Sequence, residues 1–258
     1  MPPPHATLQP SRLQALLREL DRELSPELQK TIQTASQRRN DSSRYSARYP
    51  TGLSDIDELV GGGFPAGCLS EIFGPTSSGR TTLVLGLLAR ATRSGVHVAW
   101  VDCAEAFDPP SAEAAGVVLE RVLWVRAQQS LVALRCTERI LETKGFDLVV
   151  LDLSRRVRAR NSKLNRRDNK TFIPQAAWLR LTRLTARKQN TLILLSDERL
   201  AGARAALALE MQPAIAHFTG TPALLESLET RALLARCRPD HAKDRKIKLK
   251  SRAASRAA

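Results

Sequence analysis

The segment Gly74-Pro75-Thr76-Ser77-Ser78-Gly79-Arg80-Thr81-Thr82 has residue types and spacing that suit phosphate binding. Two glycines separated by four residues precede a basic residue and a hydroxyl, which is the pattern of a phosphate-binding loop. Glycine allows backbone angles that other residues resist and leaves room for an anion. Arg80 stands where the pattern has lysine, and its planar guanidinium is broader than an ammonium group. We therefore predict a nucleotide-binding site whose contact with phosphate is weakened.

The residues on either side of this loop predict a strand before it and a helix after it, which would orient the loop toward a phosphate. Residues 68–73 are typical of a short strand, and residues 83–90 are typical of a helix with a buried face. A strand, a loop and a helix in this order direct backbone N–H groups and a helix N-terminus toward one anion. The alternative is a glycine-containing turn that binds nothing, and these flanks favour the phosphate loop over it.

A second chemical group is expected at the end of another strand. Residues 146–152 are apolar on both faces and close with the carboxylate of Asp152. Ligand sites in open α/β sheets lie at the carboxyl ends of the strands. We therefore predict that Asp152, with the hydroxyl of Thr81, orients a magnesium ion on the nucleotide. The alternative role for Asp152 is to cap the turn that follows the strand.

Apolar strands alternate with helical segments along the chain. Strands are predicted at residues 96–101, 122–125 and 191–195, and helices at 131–143 and from Pro174 onward. This alternation predicts an α/β fold with a mostly parallel central sheet that is flanked by helices. After Leu200 the pattern weakens, and we predict an alanine-rich helix followed by strands near residues 214–218 and 232–236.

The two ends of the chain differ in composition from the middle. Leucines recur at helical spacing between residues 13 and 24, and a polar stretch follows at 36–46. We predict an N-terminal helical arm and linker over residues 1–48, a core domain over 49–240, and a basic, disordered tail over 241–258. The arm could dock on a partner or pack back on its own core, and the sequence leaves both open.

The positive charge of the chain is concentrated in two segments. The net charge is +14, and residues 155–170 supply +7 of it while residues 241–258 supply +6. Such clustering predicts an anionic partner. We predict that the first segment contacts DNA phosphates without reading bases, against the alternative of a solvated charged loop. Its basic residues are Arg155, Arg156, Arg158, Arg160, Lys163, Arg166, Arg167 and Lys170.

Two aromatic residues and four cysteines have less specific meanings. Phe172 and Trp178 flank the basic segment and could stack on bases, although aromatic residues beside a helix more often belong to the core. The cysteines lie far apart without a C-x-x-C pair, which argues against a zinc site or a disulfide framework. The chain has no run of 18 apolar residues, so we expect a soluble cytoplasmic protein.

Several segments together resemble the ATPase core of RecA. Thr51-Gly52-Leu53, Gly61-Gly62-Gly63-Phe64-Pro65-Ala66-Gly67 and Glu71-Ile72-Phe73-Gly74-Pro75 resemble the segment that leads through the phosphate loop of RecA. Asp102 and Ala106-Phe107-Asp108-Pro109 resemble the segment after its second strand. The resemblance covers residues 50 to about 200 and implies a RecA-like fold with ATP and magnesium as ligands.

The same resemblance implies departures at three catalytic positions. RecA has lysine, glutamate and glutamine where this chain has Arg80, Ala104 and Asp197. Glu105 lies one position beyond the catalytic glutamate and is the remaining candidate for that role. Because base, phosphate clamp and sensor act as a unit, the three changes together imply weak or lost hydrolysis.

A short, basic and catalytically altered RecA-like protein most resembles the ImuA family. That family implies an accessory role in SOS-induced, error-prone translesion DNA synthesis. The implied partners are an ImuB-like polymerase-related protein, a DnaE-type polymerase, RecA and DNA, and self-association is left open. The rival interpretation is a DNA-dependent recombinase-type ATPase, which the intact glycine loop and Asp152 favour.

Overall fold

The computed structural model describes residues 47–103, 105–154, 173–221, 224–237 and 246–252. The strands are β1 (Arg48–Tyr49), β2 (Phe64–Pro65), β3 (Leu69–Phe73), β4 (Val98–Asp102), β5 (Val122–Arg126), β6 (Leu148–Asp152), β7 (Thr191–Ser196), β8 (Leu207–Met211), β9 (Ile215–Thr219), β10 (Leu224–Cys237) and β11 (Lys246–Arg252). The helices are α1 (Ser54–Leu59), α2 (Arg80–Arg93), α3 (Pro109–Ala114), α4 (Ser130–Glu142) and α5 (Gln175–Lys188).

The strands β3 to β11 form one large sheet with the order β11-β10-β8-β3-β7-β6-β4-β5, and β9 pairs with β10. The six strands from β8 to β5 run parallel to one another. Strand β10 is antiparallel to each of its neighbours β8, β9 and β11. This arrangement confirms the predicted α/β fold with a mostly parallel central sheet.

Helices cover both faces of the parallel strands, and side chains of each strand alternate between the two faces. In β4, Val98 and Trp100 join the apolar cluster that contains Leu87 of α2. The intervening Ala99 and Val101 join the opposite cluster, which contains residues of α4 and α5. Since both faces are buried, the central strands are continuous apolar runs, and that is why the sequence pattern located them.

The predicted alanine-rich helix after Leu200 is wrong. The structure has only a single 3-10 turn there, at Gly202–Arg204, and then the strand β8. Strand β8 lies between β3 and β10, and Leu207, Ala208 and Leu209 are buried. A short apolar segment buried in a sheet has no helical or alternating period, so its sequence does not distinguish the two structures.

Part of the predicted disordered tail is ordered as β11. Residues 246–252 pair with 227–233 of β10, and Ile247 and Leu249 pack against the core. These two apolar residues alternate with lysines, which is the pattern of a strand with one buried face. The high charge of the segment obscures this alternation in the sequence.

Other predictions fall on residues that the structure does not describe. The helical arm lies outside the described residues except at its end, because Arg48 belongs to β1. The basic segment 155–170 and Phe172 also lie outside them. Trp178 is buried in α5, so its assignment to the core is confirmed and base stacking by it is excluded. Within the described ranges, none of the four cysteines forms a disulfide, and no helix is long and apolar enough to cross a membrane.

Replacing Leu151 by alanine tests the buried position of β6. Leu151 is fully buried, so Leu151→Ala removes apolar contacts and leaves a cavity, which should lower the free energy of unfolding by about 2–5 kcal/mol. Urea unfolding followed by circular dichroism measures this change. The control is Leu131→Ala, because Leu131 is 51% exposed and its loss should change stability by less than about 0.5 kcal/mol. Equal losses for the two variants would contradict the assignment.

Candidate functional site

The predicted phosphate loop lies between the strand β3 and the helix α2. Its turn uses left-handed backbone angles at Ser77 and Gly79, with φ of 64° and 86°. Gly74 has a φ of 151°, and a Cβ atom there would lie 2.0 Å from the carbonyl oxygen of Met211. Gly74 is therefore required by the close approach of β8. Pro75, Thr76 and Ser77 are exposed at the crest of the loop, where a phosphate could reach their backbone.

Parallel pairing brings the loop and the predicted magnesium acid to one edge of the sheet. Phe73 pairs with Ser196 across β3 and β7, and Asp152 pairs with Leu195 across β6 and β7. The N–H of Gly74 donates to the carbonyl oxygen of Ser196 at 3.3 Å. The end of β7 thus lies between the loop and Asp152, as expected for a ligand site at the carboxyl ends of parallel strands.

Arg80 is the first residue of α2, and its guanidinium contacts the end of β7 and the residue that follows. Nη1 donates to the carbonyl oxygen of Ser196, and Nη2 forms an ion pair with Oδ1 of Asp197 at 2.8 Å. The side chains of Arg80 and Asp197 are only 9% and 20% exposed, so the pair is largely shielded from water. The cation that would meet a phosphate in this loop is already paired with a carboxylate of the chain.

Asp152 is almost fully buried and keeps one carboxylate oxygen without a partner among the described residues. Its Oδ1 accepts a hydrogen bond from the N–H of Ser154 at 2.9 Å, while Oδ2 accepts none. The pKa of Asp152 is raised to about 6, chiefly by burial; Ser154 and Arg80 lower it in part, and the nearby Asp102 contributes to the rise. A buried carboxylate with an unused oxygen is suited to bind a cation.

Asp102 ends the neighbouring strand β4 and holds the segment that follows it. Its carboxylate accepts hydrogen bonds from the N–H groups of Ala106 and Phe107 at 3.2 Å and 3.1 Å, and from Nε1 of Trp124 at 3.2 Å. Glu105 lies in this turn, where it is exposed and has a φ of 54°. Ala104 lies outside the described residues. The catalytic role of Glu105 stays a prediction.

Two further residues, whose roles were not predicted from the sequence, hold the backbone near the site: Thr230 contacts the phosphate loop, and Glu71 contacts the segment that follows β7. The hydroxyl of Thr230 in β10 lies 3.0 Å from the carbonyl oxygen of Ser78 and 2.8 Å from that of Gln212. Glu71 is fully buried in β3, and its Oε1 accepts hydrogen bonds from the N–H groups of Leu200 and Ala201 at 2.5 Å and 3.0 Å. A charged residue inside an apolar strand was the signal that could have identified Glu71.

The described residues fit a nucleotide and a magnesium ion in part. The loop backbone and the start of α2 suit a phosphate, and Asp152 has an unused carboxylate oxygen for a cation. The role of Thr81 as a second magnesium ligand stays a prediction. No cluster of three or more His, Cys, Asp or Glu side chains within the described ranges could hold a metal by itself. Arg80 does not fit the role of phosphate clamp in this arrangement, because Asp197 and Ser196 engage its guanidinium.

The raised pKa of Asp152 predicts a pH-dependent cost to folding. Between the ordinary pKa of 3.8 and the folded pKa of about 6, the folded protein binds the proton more tightly than the unfolded chain does. The contribution of Asp152 to the free energy of unfolding therefore falls as the pH rises from 3.8 to about 6. We expect Asp152→Asn to be more stable than the wild type at pH 7.5, by about 3 kcal/mol at most, and the difference to shrink by about 1 kcal/mol at pH 5.

Urea unfolding at the two pH values measures this difference. A contrasting variant is Asp102→Asn, because Asp102 pairs with Asp152 across β4 and β6 but carries three hydrogen bonds from N–H groups. That variant should lose about 1–3 kcal/mol, since the carboxylate is a better acceptor than an amide. A stability gap between wild type and Asp152→Asn that is the same at both pH values would contradict the prediction.

Comparison with known proteins identifies relatives of this chain by sequence. Over 106 residues the chain is 36% identical to "Protein RecA" of Picosynechococcus sp., which covers 41% of this chain and 30% of that protein. Over 104 residues it is 38% identical to "Protein RecA" of Prochlorococcus marinus (strain MIT 9303), which covers 40% of this chain and 27% of that protein. The chain thus spans less than a third of the length of these relatives.

The fold and the family are established by two further comparisons. The crystal structure of the RadB recombinase superposes with a TM-score of 0.59 at 20% identity, and the match covers 78% of this chain and 94% of that one. At this identity the likeness shows a shared fold. The family model of the RecA N-terminal domain matches residues 26–189, which is more than half of the chain. The chain therefore belongs to the RecA N-terminal domain family.

Proposed function

We propose that the protein is a RecA-like accessory factor of the SOS-induced mutagenesis machinery. It would support error-prone translesion DNA synthesis by binding its partners, with weak or absent ATP hydrolysis. The observation that carries this proposal is the ion pair between Arg80 and Asp197, which engages the cation of the phosphate loop. Both residues stand at positions where the resemblance places catalytic groups of RecA.

The ion pair bears directly on phosphoryl transfer. That reaction depends on positive charge directed at the oxygens of the transferred group. Removing one preorganised electrostatic contact commonly lowers a rate constant by about 10²–10³. Here the guanidinium is neutralised by Asp197, and the catalytic glutamate position carries Ala104. Since such groups act together, slow turnover follows from either change and more so from both.

Nucleotide binding and nucleotide hydrolysis are separable in this site. The turn at Ser77 and Gly79 and the buried Asp152 retain the groups that would hold ATP with magnesium. We propose that ATP, where it binds, acts mainly as a structural ligand. The proposed partners are an ImuB-like polymerase-related protein, a DnaE-type polymerase, RecA and DNA in the cytoplasm, and these follow from the resemblance to the ImuA family.

The second candidate function is a DNA-dependent recombinase-type ATPase. The intact glycine loop and the free oxygen of Asp152 favour it, as do relatives whose names are RecA and the RadB recombinase. The two candidates differ in the expected rate of ATP turnover. They also differ in whether single-stranded DNA stimulates that rate.

ATP hydrolysis by the purified protein, with and without single-stranded DNA, discriminates between the two functions. We expect turnover at least about 100-fold below that of a RecA control in the same assay, because the phosphate clamp is engaged. Arg80→Lys should leave the rate low, since Ala104 and Asp197 remain, and Arg93→Lys at the exposed end of α2 is its matched control. Pull-down with the polymerase partners and RecA is the second readout. Robust DNA-stimulated turnover without binding to those partners would refute the proposal.

DNA binding by the basic segment is tested by its dependence on salt. Replacing Arg155, Arg156 and Arg158 by glutamine should weaken binding to single-stranded DNA of any sequence and flatten the salt dependence by about 0.7 per lost phosphate contact. The control replaces Arg183, Arg187 and Lys188 of α5 by glutamine, which removes the same charge elsewhere. Fluorescence anisotropy between 50 and about 200 mM salt measures both quantities. Equal effects of the two triple variants would indicate general attraction by net charge alone.

A further inference from the structure

Both residues of the ion pair between Arg80 and Asp197 lie on backbone segments that are fixed by hydrogen bonds. Arg80 begins α2, so its backbone is fixed by the first turn of that helix. Asp197 directly follows β7, and the chain three residues later is anchored because Glu71 accepts hydrogen bonds from Leu200 and Ala201. The carboxylate of Asp197 is therefore presented to the guanidinium by a segment that is tied at both ends.

The carbonyl oxygen of Ser196 links this pair to the phosphate loop itself. It accepts hydrogen bonds both from the N–H of Gly74 at 3.3 Å and from Nη1 of Arg80. The guanidinium thus bridges the main chain at the start of the loop and the carboxylate of Asp197. An arginine in this position cannot direct the same N–H groups toward a phosphate and toward Ser196 and Asp197 at once.

We infer that Asp197 competes with the phosphates of a nucleotide for Arg80 and thereby sets the nucleotide affinity of the loop. In the free protein, the carboxylate of Asp197 pairs with the guanidinium of Arg80. In the complex, a polyphosphate anion would pair with that guanidinium instead. Binding of a polyphosphate then requires that Arg80 leave Asp197. This inference deepens the proposed function, since it rests on nucleotide entering the loop, and it is independent of hydrolysis and of the polymerase partners.

The competition has a quantitative consequence. When only a fraction of the protein is in the competent state, the apparent dissociation constant rises by the inverse of that fraction. Asp197→Asn removes the competing charge and keeps the size of the side chain. We expect this variant to bind ATP with magnesium about tenfold more tightly than the wild type. Inorganic tripolyphosphate should show the same gain, because the effect concerns the phosphates and not the base or ribose.

Isothermal titration calorimetry with ATP and with tripolyphosphate provides the test. The gain from Asp197→Asn must disappear in an Arg80→Gln background, since that variant removes the group for which the two anions compete. Glu198→Gln is the matched control: it removes an equal charge from the next, exposed residue and should change affinity less than about twofold. A gain that persists without Arg80, or an equal gain from Glu198→Gln, would overturn the inference.

Thermal unfolding gives an independent readout if a variant is less stable. Asp197→Asn leaves Arg80 largely buried with its partner removed, so it should unfold at a lower temperature than the wild type without ligand. Tripolyphosphate should then raise its midpoint by more than it raises that of the wild type. Equal shifts for the two proteins, or equal affinities in calorimetry, would refute the competition and leave the proposed accessory function standing. Rapid ATP turnover would refute that function and leave the competition standing.

Discussion

The parallel register of β3, β7 and β6 is the constraint on which the site depends. It sets Phe73 beside Ser196 and Leu195 beside Asp152, so the phosphate loop, the end of β7 and the buried acid lie at one edge. Backbone hydrogen bonds fix these neighbours, and the apolar faces of the strands are buried on both sides. The groups at the edge are therefore positioned by the sheet.

Two charged side chains meet at this edge of the sheet, Arg80 and Asp197. They form an ion pair of 2.8 Å, and the resemblance to RecA implies lysine and glutamine at these two positions. A largely buried charge without a partner destabilises the folded state by several kcal/mol, so the two changes support each other. Guanidinium also has five N–H groups in a fixed plane, which lets Arg80 contact Asp197 and the carbonyl oxygen of Ser196 simultaneously.

The sequence predicted those parts of the molecule whose signal is local. The phosphate loop needs glycine at defined spacing, and doubly buried strands such as β6 appear as apolar runs that end in a carboxylate. The strand β8 was missed because a segment of four apolar residues and Glu210 does not distinguish strand from helix. The strand β11 was missed because its charge obscured its alternation. The partner of Arg80 was missed since contacts across 117 positions depend on register, although the paired departures at Arg80 and Asp197 were visible.

The electrostatics of the edge separate cation binding from phosphate binding. Burial is the main reason that the pKa of Asp152 is raised to about 6, and Arg80 lowers it only slightly. The strong contact of the guanidinium is with Asp197, so Asp152 keeps a carboxylate oxygen without a hydrogen bond. Burial removes the water that would otherwise stabilise the ionised form of Asp152, and a divalent cation would stabilise that form by its positive charge. In the proposed site, the pairing that would weaken the phosphate clamp leaves this oxygen of Asp152 for a cation, so binding a nucleotide would not require the ability to hydrolyse it.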